Sequence, residues 1–419
     1  MLKKEELLPS IKIKNYEDMG LGLFIHWGLY SLKQQGEWTE LIHNLDKREY
    51  ENTIKDFDAK SFDAKKIVKA AKSMGAKYIV LTAKHHEGFF LYNTQGLSSF
   101  DITHAPAKRD LIKEFVEACR DENIKPFIYM ATYDWHNPDY VKNFKKYLEY
   151  LRESVKILCT NYGEISGFWF DGNWNKKNAD WELDKLYNII NYYQPNAIII
   201  NNTGLKKQGK LDNRNVDVLT YERGNPSYID HTGNGEKYVA GEISLTLNKH
   251  WGVASNDINY KSPSEIITTI AKSRCLGSNT LINIGLNGDG SIPNISSMYM
   301  NIIGKWINVY GNSIYNVRPV KTKSSKENLG LVQDNQGNLY AFINGLTNVG
   351  NDNVVLGGEG SHLKSFTNIH KPISSITWMD DNEKLKFMQD TETGALTFDA
   401  SGFNYGTNWI IRVAKIRFK

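Results

Sequence analysis

The sequence has little of what marks several classes of protein. It contains only three cysteines in 419 residues, too few for a small disulfide-stabilised secreted fold and without the spacing of metal ligands. No apolar run approaches the roughly 20 residues that a membrane-spanning helix needs. The net charge is only +4, and the basic residues form no clustered face of the kind that binds nucleic acid. We therefore expect a globular protein whose partners are neither nucleic acid nor membrane.

The N-terminal residues carry charge, but no apolar stretch of signal-peptide length follows Glu6. A secretory signal peptide needs such a stretch, so none is apparent. We expect a cytoplasmic protein, or a secreted one if a leader has been removed. The sequence leaves open whether the chain forms a homo-oligomer.

Aromatic residues, in contrast, are abundant. They make up 12% of the chain, with ten Trp and 23 Tyr. Aromatic rings stack on sugar faces, because the C–H bonds of those faces present partial positive charge to the π cloud. An aromatic-rich core would explain the same composition equally well, so composition alone does not distinguish a carbohydrate ligand from a packing role.

Strand-like and helix-like segments alternate along the chain up to about Tyr310. Each amphipathic helical pattern, such as the one predicted over 139–159, is followed by a short apolar run typical of a buried parallel strand. Ser262-Pro263-Ser264-Glu265 adds a capping box that begins one of the helices. The apolar runs are 21–25, 78–82, 127–130, 167–170, 197–200, 216–220, 241–246 and 281–284. This α/β pattern predicts a TIM-like (β/α)8 barrel, which need not be regular.

Beyond Tyr310 the pattern changes to short, partly alternating segments separated by Gly, Asn and Asp. Alternation with a period of two is typical of antiparallel strands with one buried face. We therefore predict a barrel domain over 1–312 and a C-terminal antiparallel β-sandwich over 313–419.

Polar side chains follow the apolar runs, at the end of the strands where a βα barrel builds its active site. These residues are His26, His85, His86, Asp171, Asn202, Glu222 and, at or near the seventh run, Glu242. A single residue of this kind is usually a helix cap, but their convergence on one rim indicates a catalytic or binding site. Adjacent residues of a strand point to opposite faces, so His85 and His86 are not expected to chelate one metal ion.

Asp171 is the sharpest candidate. It ends the apolar segment 167–170, which would bury it, and Gly172 allows the backbone a tight exit. Glycosidic bonds are cleaved by two carboxyl groups, so Asp171 would need a partner acid. Glu242 and Glu222 are the candidates, and the pattern alone does not rank them.

The barrel region contains six ordered blocks of residues: 22–28 with 36–38, 76–89, 108–110, 133–135, 167–172 and 279–285. Together these blocks resemble the glycoside hydrolase family 29 α-L-fucosidases. The nucleophile block of that family is similar to Gly167-Phe168-Trp169-Phe170-Asp171-Gly172. Glu87 stands where the family usually has Asp, and Gly241 where it usually has Trp.

The resemblance implies a retaining α-L-fucosidase that acts by double displacement on fucosylated glycans. Asp171 would be the nucleophile, with Glu242 as first and Glu222 as second choice for the acid/base. The charge of Arg223 is expected to lower the pKa of the adjacent Glu222 and keep it ionised, which is wrong for an acid. Residues that would bind fucose hydroxyls or pack the sugar are His26, Glu37, Trp38, His85 and His86, with Tyr129 and Trp169 lining the pocket.

No metal and no organic cofactor is required by this chemistry. One alternative is a fucose-binding protein with little or no turnover, which the departures from the family pattern at Glu87, Gly241 and Leu286 keep open. A second alternative is a barrel hydrolase that acts on another sugar or uses a metal.

Overall fold

The structure is a computed structural model that describes residues 7–224, 226–235, 237–324, 328–348 and 363–419. The six N-terminal residues, on which the expectation about a signal peptide rests, lie outside the described residues. The chain divides into two compact units. One comprises the described residues up to Lys261 together with Leu281–Asn301, and the other comprises Ser262–Thr280 and the described residues of Ile302–Lys419.

Eight strands, β1 to β8, form a closed barrel in chain order within the described residues. The pairs from β1 through β7 are parallel. All residues of β1, β2 and β7 are buried, as expected for a parallel sheet covered on both faces. The predicted barrel is confirmed. The strands are β1 Leu21–His26, β2 Tyr78–Lys84, β3 Lys125–Ala131, β4 Gly167–Asp171, β5 Ile198–Asn202, β6 Val218–Glu222, β7 Ala240–Thr246 and β8 Ser278–Gly285.

The helices begin and end at the residues that local chemistry selects. The α5 helix begins after Asp63, whose side chain accepts a hydrogen bond from the backbone of Lys66, and ends at Gly75 with φ 98°. The helices are α1 Ile11–Met19, α2 Tyr30–Lys33, α3 Thr39–Ile42, α4 Lys47–Asn52, α5 Ala64–Met74, α6 Leu111–Asp121, α7 Asp139–Lys142, α8 Phe144–Asn161, α9 Leu183–Tyr193, α10 Pro263–Cys275 and α11 Asn294–Tyr310. None of those in the described ranges combines the length and hydrophobicity needed to cross a bilayer.

The single helix predicted over 139–159 is wrong in one respect, because the structure breaks it at Asn143. That residue has an extended φ of −149°, and its side chain accepts a hydrogen bond from the backbone of Lys146. An asparagine that caps a new helix cannot also continue the preceding one. The result is the short α7 followed by the long α8.

The barrel interior is packed with aromatic side chains. Tyr78, Phe127, Tyr129 and Trp169 belong to one buried cluster, to which α1 contributes Tyr16. Part of the high aromatic content therefore serves core packing, which was one of the two explanations for the composition.

The C-terminal strands form two antiparallel sheets. Their orders are β13-β16-β11-β10-β9 and β12-β15-β14. Ala341 and Trp378 of the larger sheet share a buried cluster with Leu396 and Phe398 of the smaller one, so the predicted β-sandwich is confirmed. The strands are β9 Val317–Val320, β10 Asn328–Asp334, β11 Leu339–Ile343, β12 Leu363–Phe366, β13 Ile373–Trp378, β14 Phe387–Asp390, β15 Ala395–Asp399 and β16 Arg412–Phe418.

The capping box at the start of α10 yields a stability prediction. The Ser262 hydroxyl accepts from the Glu265 amide at 3.1 Å, and the Glu265 carboxylate accepts from the Ser262 amide at 2.7 Å. Ser262→Ala should lower the free energy of unfolding by about 1 kcal/mol, because a helix-end amide loses its partner. Chemical denaturation measures this, with the exposed Ser264→Ala as the control. Equal effects of the two variants would show that the cap contributes nothing.

Candidate active site

The carboxyl ends of the barrel strands carry the polar residues of the site. His26 ends β1, Asp171 ends β4, Asn202 ends β5 and Glu222 ends β6. Register places Asp171 beside Asn202 across the β4–β5 ladder. The structure therefore brings these strand-end residues together at one rim.

Asp171 is held by donors from several strands and turns. Its Oδ1 accepts from Trp174 Nε1 at 2.8 Å and from Asn202 Nδ2 at 3.2 Å, and its Oδ2 accepts from Tyr129 Oη at 3.0 Å. His86 Nε2 lies 3.3 Å from Oδ2. Burial opposes ionisation, but the contacts with His86, Trp174 and Tyr129 outweigh it and lower the pKa of Asp171 below its ordinary value. The lowered pKa favours the ionised form of the Asp171 carboxyl group.

Glu222 is connected to Asp171 through a shared donor. Its Oε2 accepts from the same Asn202 Nδ2 at 2.9 Å. Burial and then the charge of Asp171 raise the pKa of Glu222, against the smaller lowering effects of Asn202 and Arg223. Arg223 lowers the pKa of Glu222, as expected, but burial and the charge of Asp171 act more strongly, so the net shift is upward. The Arg223 guanidinium lies over the Trp251 ring, 5.3 Å from the centroid.

The separation of these two carboxyl groups follows from the shared donor. Oδ1 of Asp171 and Oε2 of Glu222 lie 3.2 and 2.9 Å from one nitrogen. These two oxygens are therefore at most about 6 Å apart, which is below the roughly 6.5–9.5 Å of inverting glycosidases and admits the roughly 5–5.5 Å of retaining ones.

Glu242 lies elsewhere, in the interior of the barrel. Its carboxylate accepts from Tyr16 at 2.5 Å, Tyr78 at 2.6 Å and Trp169 at 2.8 Å, and it is fully buried. On β7 the residue level with Glu222 is Ser244, so Glu242 is two residues, roughly 6–7 Å, deeper along the strand. Burial raises its pKa against those hydrogen bonds. The structure does not bring Glu242 into contact with Asp171.

The three predicted histidines form one packed group. The ring centroids of His26 and His85 are 5.6 Å apart, and those of His85 and His86 are 4.5 Å apart. The expectation that His85 and His86 point to opposite faces is wrong, because β2 ends at Lys84 and the alternation of a strand ends with it. Within the described ranges, no three His, Cys, Asp or Glu side chains are grouped as metal ligands.

Their protonation follows from their surroundings. Burial lowers the pKa of His26 to about 3, despite the hydrogen bond between its Nδ1 and Asn283 Oδ1 at 2.7 Å. A neutral ring that donates from Nδ1 keeps an acceptor at Nε2. Burial and then His86 lower the pKa of His85, whose Nδ1 has no hydrogen-bond partner among the described residues. Such a buried, unpaired nitrogen is suited to a ligand hydroxyl.

Glu37 and Trp38 lie on the same rim. Glu37 Oε2 accepts from the backbone amides of Trp251 and Gly252 at 3.0 and 2.9 Å, which fixes the loop after β7. The Trp38 ring lies 5.0 Å from that of His86. A cavity of about 1000 Å³ opens here, with Glu37, Trp38, Trp174, Glu222 and Trp251 among its lining residues.

Residues outside the predicted set of site residues complete the arrangement. Asn202 ends an apolar run, so its position on the rim was visible in the sequence although its role was not. Trp174 lies on a 3-10 turn over Asn173–Lys176, and Asn283 orients His26 from within β8. No periodic pattern marks either of these two residues, since neither a turn nor a single inward-facing strand residue has a signature in sequence.

A βα barrel with two neighbouring carboxyl groups on its rim, among tryptophan and histidine rings, defines a glycoside hydrolase. The family model described as Alpha-L-fucosidase matches residues 4–312. The chain belongs to the α-L-fucosidase family, and it is an enzyme.

Similar proteins agree with this membership. Tissue alpha-L-fucosidase from Rattus norvegicus is 26% identical over 342 residues, which are 74% of this chain and 71% of the rat protein. Alpha-L-fucosidase isoenzyme 1 from Paenibacillus thiaminolyticus has a TM-score of 0.83 at 27% identity, covering 98% of this chain and 99% of that one. An alpha-L-fucosidase GH29 from Bacteroides thetaiotaomicron, trapped as a covalent intermediate with 2-fluoro-fucosyl fluoride, shares the fold. Its TM-score is 0.83 at 23% identity, covering 99% of this chain and 98% of that one. A non-catalytic binding protein and a hydrolase of another sugar are not favoured.

The donors to Asp171 yield a prediction about pH. Trp174→Phe removes one hydrogen bond to the carboxylate, so the pKa of Asp171 should rise and the acid limb of kcat/KM for an aryl α-L-fucoside should move to higher pH. We expect about a tenfold loss below that limb, or about 1.4 kcal/mol. Trp181→Phe is the matched control, because Trp181 Nε1 donates at 3.1 Å to the Lys176 carbonyl instead. Identical acid limbs in both variants and the wild type would contradict the prediction.

Proposed function

We propose that this enzyme releases terminal α-L-fucose from glycans with retention, using Asp171 as the nucleophile and Glu222 as the acid/base. The observation that carries the proposal is the pair of carboxyl groups joined through Asn202, one with a lowered and one with a raised pKa. Opposite shifts of neighbouring carboxyl groups are what a nucleophile and a general acid require. Both residues lie within 1–312, the proposed catalytic domain, and neither lies within the proposed sandwich domain, 313–419.

In the first step an Asp171 oxygen attacks the anomeric carbon and the glycosidic C–O bond breaks. Glu222 gives its proton to the departing oxygen and becomes a carboxylate. The ester that forms carries no charge at Asp171, so one cause of the raised pKa of Glu222 disappears. Glu222 can then take a proton from water, whose oxygen displaces Asp171 from the sugar. The loss of one charge converts the acid into the base.

Choosing Glu222 reverses the order that the sequence favoured. Support for the choice comes from the cavity, which Glu222 lines, and from the donor that it shares with Asp171. Glu242 is enclosed by Tyr16, Tyr78 and Trp169, and a proton donor must reach the leaving oxygen directly or through one water. We therefore assign Glu242 a place in the barrel core.

The histidine group supports recognition of sugar hydroxyls. We assign the acceptor Nε2 of His26 and the unpaired Nδ1 of His85 to fucose hydroxyls, with His86 serving both Asp171 and the sugar. The Trp38 ring and the Glu37 carboxylate would bound the same pocket.

We assign two further aromatic residues to the inner wall of this pocket. Tyr129 and Trp169 are stacked at 5.7 Å with an angle of 23° between their rings. Their faces would offer the apolar surface that the methyl group of a deoxy sugar needs.

The nucleophile is tested by its removal. Asp171→Ala should lower kcat for an aryl α-L-fucoside by about 10³-fold or more, at least about 4 kcal/mol, with an unchanged circular dichroism spectrum. Azide can occupy the vacated space and attack the same face, so it should restore turnover and yield β-fucosyl azide. Hydrolysis at the wild-type rate would exclude Asp171 as the nucleophile.

The acid is tested by the quality of the leaving group, because a nitrophenolate departs without a proton and a sugar alkoxide does not. Glu222→Ala should lose about 10²-fold or more on a fucosyl-oligosaccharide but far less in the first step on an aryl fucoside. Azide should react with the slow intermediate to give α-fucosyl azide. Glu242→Gln is the comparison, and it should affect both substrates equally. If the dependence on the leaving group appears in Glu242→Gln instead, our assignment of the acid is wrong.

A further inference from the structure

We propose that Asn202 is a positioning residue that bridges the two catalytic carboxyl groups and supplies a hydrogen bond to whichever of them carries the negative charge. The inference rests on the proposed function, in which that charge moves from Asp171 to Glu222 and back. Asn202 lies outside the sequence blocks that resemble the family, so the resemblance implies no role for it.

The barrel topology explains why a residue at this position can bridge the pair. β5 lies between β4 and β6 in the closed barrel. Asn202 is the last residue of β5, between the last residues Asp171 of β4 and Glu222 of β6. A side chain from the middle strand end is therefore within reach of both of its neighbours.

Hydrogen bonds define the orientation of the Asn202 amide. Its Oδ1 accepts from the backbone amide of Gly204 at 3.0 Å, so the other end of the group must be the NH2. That nitrogen lies 3.2 Å from Asp171 Oδ1 and 2.9 Å from Glu222 Oε2. The side chain is buried, with 3% of the residue exposed. One hydrogen atom is available for each carboxyl group.

An amide is chemically suited to this position. A hydrogen bond to an ionised group is roughly twice as strong as one to a neutral group. The structure places the Asn202 nitrogen nearer to Glu222 Oε2 (2.9 Å) than to Asp171 Oδ1 (3.2 Å). The bond to Glu222 therefore gains strength in place when the first step transfers the negative charge to that carboxyl group. Lysine or arginine at this position would hold both carboxyl groups ionised, which would remove the general acid. A neutral donor with two hydrogens stabilises either charge state without abolishing the other.

Other groups also face the pair. Asp171 is faced by His26, His86, Tyr129 and Trp174, and Glu222 is faced by Arg223 and Trp251. The pH dependence of the enzyme depends on all of them, so the contribution of Asn202 is the shift between variant and wild type.

The test compares two substitutions at one position. Asn202→Asp keeps an oxygen for the Gly204 amide but replaces the shared donor by an acceptor. Asn202→Ala removes both functions. We expect kcat/KM for an aryl α-L-fucoside to fall about 10²-fold or more in the Asp variant and about tenfold in the Ala variant. Both limbs of the pH profile should move to higher pH, because each carboxylate loses a donor.

Asn201→Ala is the matched control. Asn201 is the preceding residue of β5, and its Nδ2 donates to Asp212 rather than to either catalytic group. Its pH limbs should coincide with those of the wild type. Thermal unfolding of all three variants separates loss of fold from loss of function.

A purely structural role for Asn202 predicts a different result. If the side chain only anchors the loop at Gly204, the Ala variant should keep the pH limbs of the wild type, and that outcome would overturn the proposal. A shift confined to the Asp variant would come from the added carboxylate and would overturn it equally. Failure of the proposed function would show itself separately, as a lack of leaving-group dependence in Glu222→Ala.

Discussion

The rim of this barrel depends on one constraint. The Asp171 carboxylate must stay ionised although it is mostly shielded from water. A buried charge costs several kcal/mol unless it is paired and hydrogen-bonded. Here the partners come from β3, from the turn after β4, from the end of β5 and from the segment after β2, through Tyr129, Trp174, Asn202 and His86. No single segment could supply them, so the closed barrel is a condition of the chemistry.

Strand β7 carries another buried carboxyl group, Glu242, which is stabilised in another way. Glu242 accepts from two tyrosines and one tryptophan, and burial still raises its pKa. Trp169 connects the two regions, since it donates to Glu242 and stacks on Tyr129, which donates to Asp171.

Local patterns predicted much of this molecule and failed where a single residue interrupted them. The eight apolar runs became the eight strands of the barrel, because burial on both faces leaves a plain signal. The helix over 139–159 was broken by Asn143, whose side chain caps the following turn. Arg223 was expected to lower the pKa of Glu222 and keep it ionised, but burial acts more strongly and raises that pKa. Burial is a property of the folded chain.

The sequence by itself determined the order of strands and helices, the placing of polar residues at strand ends and the family. It also singled out Asp171 as a candidate, because that carboxylate directly follows a buried apolar run and lies in the block that resembles the family's nucleophile block. Only the tertiary structure decided which glutamate stands beside it. Glu222 ends β6 and shares the Asn202 donor with Asp171, whereas Glu242 lies two residues before Ser244, the β7 residue opposite Glu222. Depth along a strand depends on register across the closed sheet, and register is set by contacts between segments far apart in the chain.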